Sequence, residues 1–145
     1  MNYNLRIMTE ADAAEVHAID WAAQVCEWSE ESYIRESQNP VGVYYILEID
    51  GRAVGYAGMW CVAGEAELMN IGILPDMQGR GYGQILLKTL LDHSETTGCA
   101  VMSLEVKEQN LTAIALYKKL GFEQIGFRKS YYKDGSNALL MQKRI

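Results

Sequence analysis

Asp50-Gly51 stands between two runs of β-forming residues, 43–49 (Val-Tyr-Tyr-Ile-Leu-Glu-Ile) and 52–62. A two-residue turn of this kind needs left-handed backbone at both centres, which Asp and Gly tolerate, and its twist matches that of the strands it joins. The pair commits the middle of the chain to an antiparallel hairpin. Gly64 turns the chain again, and 65–74 reads as a further strand, so three strands form a meander. Gly55 and Gly58 mark bulges or close packing within it.

Ahead of the meander, 4–8 reads as a short strand. Thr9 follows as an N-cap, with Glu10 and Asp12 in the first turn, where the helix dipole favours acids. Ala13, Val16, Ile19, Ala23 and Cys26 recur at roughly helical spacing. Ser29 caps a second helix reaching about Ser37, and Asn39-Pro40 stops it. Beyond Pro75 the pattern changes. A glycine-rich loop, 79–83, opens a helix through Leu86, Leu87, Leu90 and Leu91 that ends at Gly98. A strand at 100–106 follows, then a helix through Ala113, Ile114, Leu116, Tyr117 and Leu120, closed by Gly121. Strands at 123–128 and 138–143 complete the order β-α-α-β-β-β-α-β-α-β-β. This is an α/β domain with one mixed, mostly antiparallel central sheet flanked by helices. The 145 residues fit a single domain, 1–145. A chain of this size buries roughly 68% of its unfolded surface, enough for a core without staples.

Several classes are excluded. No window of 18 apolar residues is present, so no transmembrane helix and no membrane partner are expected. Residues 1–8 lack an apolar stretch after a basic start, so no secretory signal is expected, and the location expected is cytoplasmic. Cys26, Cys61 and Cys99 are odd in number and form no C-x-x-C pair; buried free thiols are expected. His17 and His93 stand far apart without ligand-spaced partners, so no metal is expected. The net charge is −6. Seventeen acids face six bases up to Tyr117, whereas seven bases face two acids from Lys118 onward. A whole-surface nucleic-acid footprint is therefore not expected. The densest acid run, 10–36, holds eight acids and one base. It reads either as solvated helix faces or as a field attracting a cationic substrate.

The loop Gln78-Gly79-Arg80-Gly81-Tyr82-Gly83-Gln84 joins a strand to a helix. Backbone N–H groups at such a helix start can hold phosphate oxygens. Neither a Walker loop nor the dinucleotide fingerprint fits, because each requires glycine at 84, where Gln84 stands. Glu105 is an acid inside an otherwise apolar strand. It is either an ion-pair partner of Lys107 or a general base, direct or through water, whose proton affinity desolvation would raise. On pattern alone Tyr117 is a core aromatic.

Gln78-x-x-Gly81-x-Gly83 resembles the Q/R-x-x-G-x-G/A signature of the GNAT acetyltransferase superfamily. Within it, the chain is similar to the RimI-type ribosomal-protein-alanine N-acetyltransferases. The matching stretches are Trp28-Ser29-Glu30, Met69-Asn70-Ile71-Gly72-Ile73, Leu104-Glu105-Val106, Asn110, Ala113-Ile114-Ala115-Leu116-Tyr117, Leu120-Gly121-Phe122, Arg128, Tyr131-Tyr132 and Ala138-Leu139-Leu140-Met141. The resemblance implies a single GNAT-like domain that takes acetyl-CoA as donor, without metal. It implies that the loop 78–84 holds the pyrophosphate, that Ile71, Gly72 and Ile73 pair with the pantetheine arm, and that Asn110 contacts the cofactor. Glu105 stands at the family's base position, and Tyr117 matches its general acid. Trp28, Tyr131 and Tyr132 are candidates for an aromatic rim around the acceptor. The expected acceptor is a protein N-terminus, of a basic ribosomal protein. The alternatives are a polyamine or other amine, a lysine side chain, or binding of acetyl-CoA without catalysis.

Overall fold

The computed structural model describes residues 2–145; Met1, where the single-domain and signal-peptide expectations begin, lies outside the described residues. Seven strands form one sheet in the order β1-β2-β3-β4-β5-β7-β6. They are β1 (Tyr3–Ile7), β2 (Gly42–Ile49), β3 (Arg52–Val62), β4 (Glu65–Ile73), β5 (Val101–Lys107), β6 (Glu123–Arg128) and β7 (Ala138–Arg144). Every pairing is antiparallel except β4 with β5. Four helices cover the sheet: α1 (Ala13–Ala23), α2 (Glu30–Ser37), α3 (Tyr82–Thr96) and α4 (Leu111–Lys119). The element order is the one read from the sequence.

Local chemistry sets most boundaries. Asp50 and Gly51 both take positive φ, 49° and 82°, as a two-residue hairpin demands. The Ser29 hydroxyl accepts from the Ser32 N–H at 3.1 Å and starts α2. Asn110 does the same for α4, accepting from the Ala113 N–H at 3.2 Å. The helical spacing read through Cys26 ends earlier, at Ala23, because Gln24 turns left-handed and caps α1.

The sheet separates two cores. On the α3–α4 side, Leu86, Leu87 and Leu90 are fully buried with Met59, Met102 and Met141. Each such leucine contributes roughly 1.5–3 kcal/mol by leaving water. On the α1–α2 side, Val16, Ile19 and Tyr33 pack on Ile46 and Tyr56. The cysteines depart from expectation. Cys99 is buried, but Cys61 is half-buried and Cys26 is exposed in the turn that follows α1.

Two irregularities make room for a site. Between Gly58↔Asn70 and Met59↔Leu68 the register of β3 and β4 shifts by one, leaving Met69 as an extra residue. The shift rephases β4: Leu68, Ile71 and Ile73 pack with the α3–α4 core, while Asn70 contacts Tyr33 and Gly72 lies against Val25 and Tyr56. Secondly, β4 and β5 pair only through Glu65–Glu67 and Val101–Ser103. Beyond that point the two parallel strands part.

Candidate active site

Where β4 and β5 part, a cavity of about 640 Å³ opens through the sheet. Its walls come from both faces. Ala23, Gln24, Val25 and Cys26 contribute from the α1 side, and Met77, Gln78, Gly79 and Tyr82 from the start of α3. Asn110, Thr112, Ala113, Leu116 and Tyr117 of α4 form another wall. Among the strands, Leu68, Met69, Asn70, Ile71, Gly72 and Ile73 face Glu105, Val106 and Lys107 across the gap. A pair of strands without mutual hydrogen bonds leaves backbone N–H and C=O groups available to a ligand.

The glycine loop borders this cavity. Gly79 and Gly81 have φ of 79° and 85°, where a side chain would be strained although space is open around both. Gly81 supplies no side-chain cap and the first turn of α3 contains no acid, so the N–H groups of that turn have neither a capping side chain nor an acid of their own helix. Gln78 braces the loop by donating to the Ile73 carbonyl at 3.0 Å. Gln78, Gly79 and Tyr82 line the cavity, whereas Arg80, Gly81, Gly83 and Gln84 continue from it along the helix start. An anionic, pyrophosphate-bearing ligand fits this donor set.

Glu105 sits at the opposite end. Its side chain is 28% exposed, so it is not the buried acid expected, because it lies at the mouth of the gap. The expected Lys107 partner is also absent. Lys107 instead meets Asp134 at 3.3 Å, and Glu105 meets Arg128 Nε at 3.8 Å. Arg128 lies over the Tyr131 ring and Lys107 over the Tyr132 ring, at 5.4 and 5.1 Å. The nearby Glu105 carboxylate pushes the Tyr131 pKa up. Tyr132 is pushed up by burial and then by Glu105.

Tyr117 is both core and site. It is 5% exposed, its ring stands 5.8 Å from Phe122, and it forms part of the cavity wall. Burial, with a smaller contribution from Tyr132, pushes its pKa well above the ordinary phenol value. Asn110 likewise caps α4 and lines the cavity. Of the three rim aromatics, Tyr132 lines the cavity. Tyr131 packs beside Tyr132 at 5.1 Å, and Trp28 packs on Tyr33 at 5.6 Å.

The sequence reading passed over one group of residues at this site. Asp20 on α1 is fully buried and accepts from three consecutive backbone N–H groups, Cys26 at 3.0 Å, Glu27 at 2.9 Å and Trp28 at 3.1 Å. The Tyr33 hydroxyl donates to it at 2.6 Å and sits 2.7 Å from the Tyr56 hydroxyl. The side-chain signal available was an acid on the apolar face of α1, one residue after Ile19.

One cavity thus brings together parted strands, the border of a glycine loop, the carboxylate of Glu105 and the phenol of Tyr117. Residues 13–122 match the acetyltransferase (GNAT) family. The chain belongs to that family and is in class an acetyl-CoA-dependent N-acetyltransferase. It is 36% identical over 133 residues to the ribosomal protein bS18-alanine N-acetyltransferase of Escherichia coli K12, across 90% of this chain and 89% of that one. The N-alpha-acetyltransferase RimI of Mycobacterium tuberculosis is 34% identical over 143 residues, across 94% and 89%. The crystal structure of the ribosomal-protein-S18-alanine N-acetyltransferase from Escherichia coli superposes with a TM-score of 0.92 at 33% identity, covering 99% of this chain and 94% of that one. No helix among the described residues is long and apolar enough to cross a membrane, and no cluster of three or more His, Cys, Asp or Glu side chains is arranged to hold a metal.

Proposed function

We propose that this chain, acting as one domain over residues 1–145 in the cytoplasm, acetylates the N-terminal α-amine of a protein. The acceptor is an N-terminal alanine of a ribosomal protein of the bS18 kind, and neither nucleic acid nor membrane takes part. The observation that carries this reading is a gap through the sheet with Glu105 on one wall and Tyr117 on another. The relatives' acceptor supports it.

Acetyl-CoA supplies an activated acyl group when bound; the protein's residues do the rest. The N–H groups at the start of α3, with Arg80 nearby, hold the pyrophosphate. The exposed edge at Ile71, Gly72 and Ile73 orients the pantetheine arm, and a backbone N–H there stabilises oxyanion charge. Asn110 adds a polar contact from the head of α4. Glu105 accepts the proton of the attacking amine, directly or through water. Tyr117 stays protonated because burial disfavours its phenolate, so its hydroxyl keeps a proton to give to the departing sulfur. Trp28, Tyr131 and Tyr132 border the acceptor side.

The chemistry favours an α-amine. Its pKa of about 7.7–8.0 leaves roughly a fifth neutral near pH 7.3, against about one part in a thousand for lysine at about 10.4. One peptide sequence in two forms tests this. The form with a free N-terminus and blocked lysine should be acetylated faster, by mass spectrometry across pH 7–8, than the form with the blocks exchanged. Faster reaction at lysine, or at polyamines in parallel assays, would reassign the acceptor. No turnover with any amine would leave a binding module.

A further inference from the structure

Asp20 is a fully buried carboxylate held by hydrogen bonds, with no ion pair to it among the described residues. Burial alone would raise its pKa, yet the hydrogen bonds from Tyr33 and the backbone of Cys26 and Glu27 bring it below the usual carboxylate value. Both oxygens are saturated. Oδ1 accepts from the Cys26 and Glu27 N–H groups, and Oδ2 from the Trp28 N–H, the Cys26 thiol and the Tyr33 hydroxyl. The three N–H groups are consecutive, so the loop after α1 is folded around the carboxylate as a concave donor nest. Gln24 and Glu27 are left-handed at φ of 53° and 58°, a conformation non-glycine residues hold only when surroundings impose it.

That loop is a wall of the cavity. Gln24, Val25 and Cys26 line it. Val25 reaches across to β4, where a Cβ on Gly72 would lie 2.6 Å from Val25 Cγ2. The glycine is what lets the loop close against the strand. Asn70, also on the cavity wall, donates to Cys26 Sγ at 3.4 Å from the β4 side. The loop is thus fixed to α1 by Asp20 and leans on the parted strand at Gly72 and Asn70.

We propose that Asp20 is a positioning residue for the acceptor: its buried carboxylate holds the 24–28 loop, and through Val25 and Cys26 sets the width of the acceptor entrance without touching either substrate. This rests on the acetyl-transfer reading above. The hydrogen bonds to Asp20 involve no residue of the glycine loop or of α4, so the hold on the pyrophosphate does not depend on them, and the network meets the donor side only where Val25 packs on Gly72.

Asp20→Asn keeps size and removes charge. In either orientation its amide NH₂ faces protein donors, so at least one backbone N–H loses its acceptor. With basic hexapeptides bearing an N-terminal alanine as probe, the peptide KM should rise at least tenfold. The acetyl-CoA Kd by calorimetry should stay within twofold, both measured well below the variant's Tm. Tyr33→Phe keeps the three backbone bonds and should raise the peptide KM less than threefold even where its Tm falls. A peptide KM unchanged in Asp20→Asn, or rising in step with the acetyl-CoA Kd, would overturn the proposal. So would equal KM changes in the two variants. If Asp20→Asn does not fold, Val25→Ala decides: a peptide KM at least threefold higher with unchanged acetyl-CoA affinity supports the loop as the entrance wall, and an unchanged KM overturns it. Wild-type protein inert toward every amine would instead fail the acetyl-transfer reading itself.

Discussion

Tyr117 shows how one side chain serves packing and chemistry together. Its ring completes the α4 side of the core against Phe122, while the residue forms part of the gap's wall. Replacing it with phenylalanine keeps the ring and removes the proton. Tyr117→Phe should therefore leave the Tm and the acetyl-CoA Kd nearly unchanged while kcat falls roughly 10²–10⁴-fold, as expected for a lost general acid. Steady-state kinetics beside calorimetry make the comparison, and wild-type turnover would return Tyr117 to packing alone. Glu105 differs in being solvent-accessible, with Arg128 and Tyr131 as neighbours rather than a sealed apolar shell. Its partners come from β6 and the turn after it, more than twenty residues away, and not from Lys107 two residues on, which pairs with Asp134 instead.

At the level of elements, the first turn after β1 is fastened by a fork. Asp12 accepts from Arg6 at 2.7 and 2.8 Å and from the Thr9 N–H at 2.8 Å. The Arg6 hydrogen bond, against desolvation, lowers the Asp12 pKa from 3.8 to about 2. A depressed carboxylate contributes stability that is complete above its unfolded pKa and lost as pH falls through the folded one. This contribution should disappear between about pH 4 and pH 2. Arg6 is partly exposed, so screening reduces it to about 1 kcal/mol. Thermal melts of Asp12→Asn should show a lower Tm than wild type at pH 6 and convergence near pH 2; parallel curves would deny the fork its role. Local signals of this sort were legible before any fold was known. Asp50-Gly51, Ser29 and Gly81 each act on backbone within a few residues, so their chemistry is written beside them. The extra residue at Met69, the parting of β4 from β5 and the burial of Asp20 depend on partners brought from elsewhere in the chain. Charge alone could not distinguish Asp20 from the exposed acids around it.

Over the whole molecule, the acids of 10–36 divide by environment. Asp12 is paired and Asp20 is buried, and Glu36 accepts from the Trp60 indole at 2.9 Å. Glu10, Glu15, Glu27, Glu30 and Glu31 remain exposed on the α1–α2 side, which carries the 24–28 loop proposed above as a wall of the acceptor entrance. Steering by exposed charge weakens as the Debye length shortens to about 8 Å at 0.15 M salt. The kcat/KM for a basic peptide should fall several-fold between low and physiological salt, and that for a neutral peptide of equal length should change little. Equal rates for acidic and basic peptides at low salt would remove the steering. The parting of β4 and β5 has one more consequence. An opening that runs clear through a sheet has two doorways, and here they lie on opposite sides of the molecule. Under the proposed function, the spent carrier and the next recipient use different doors, so one lingering at its own does not bar the other.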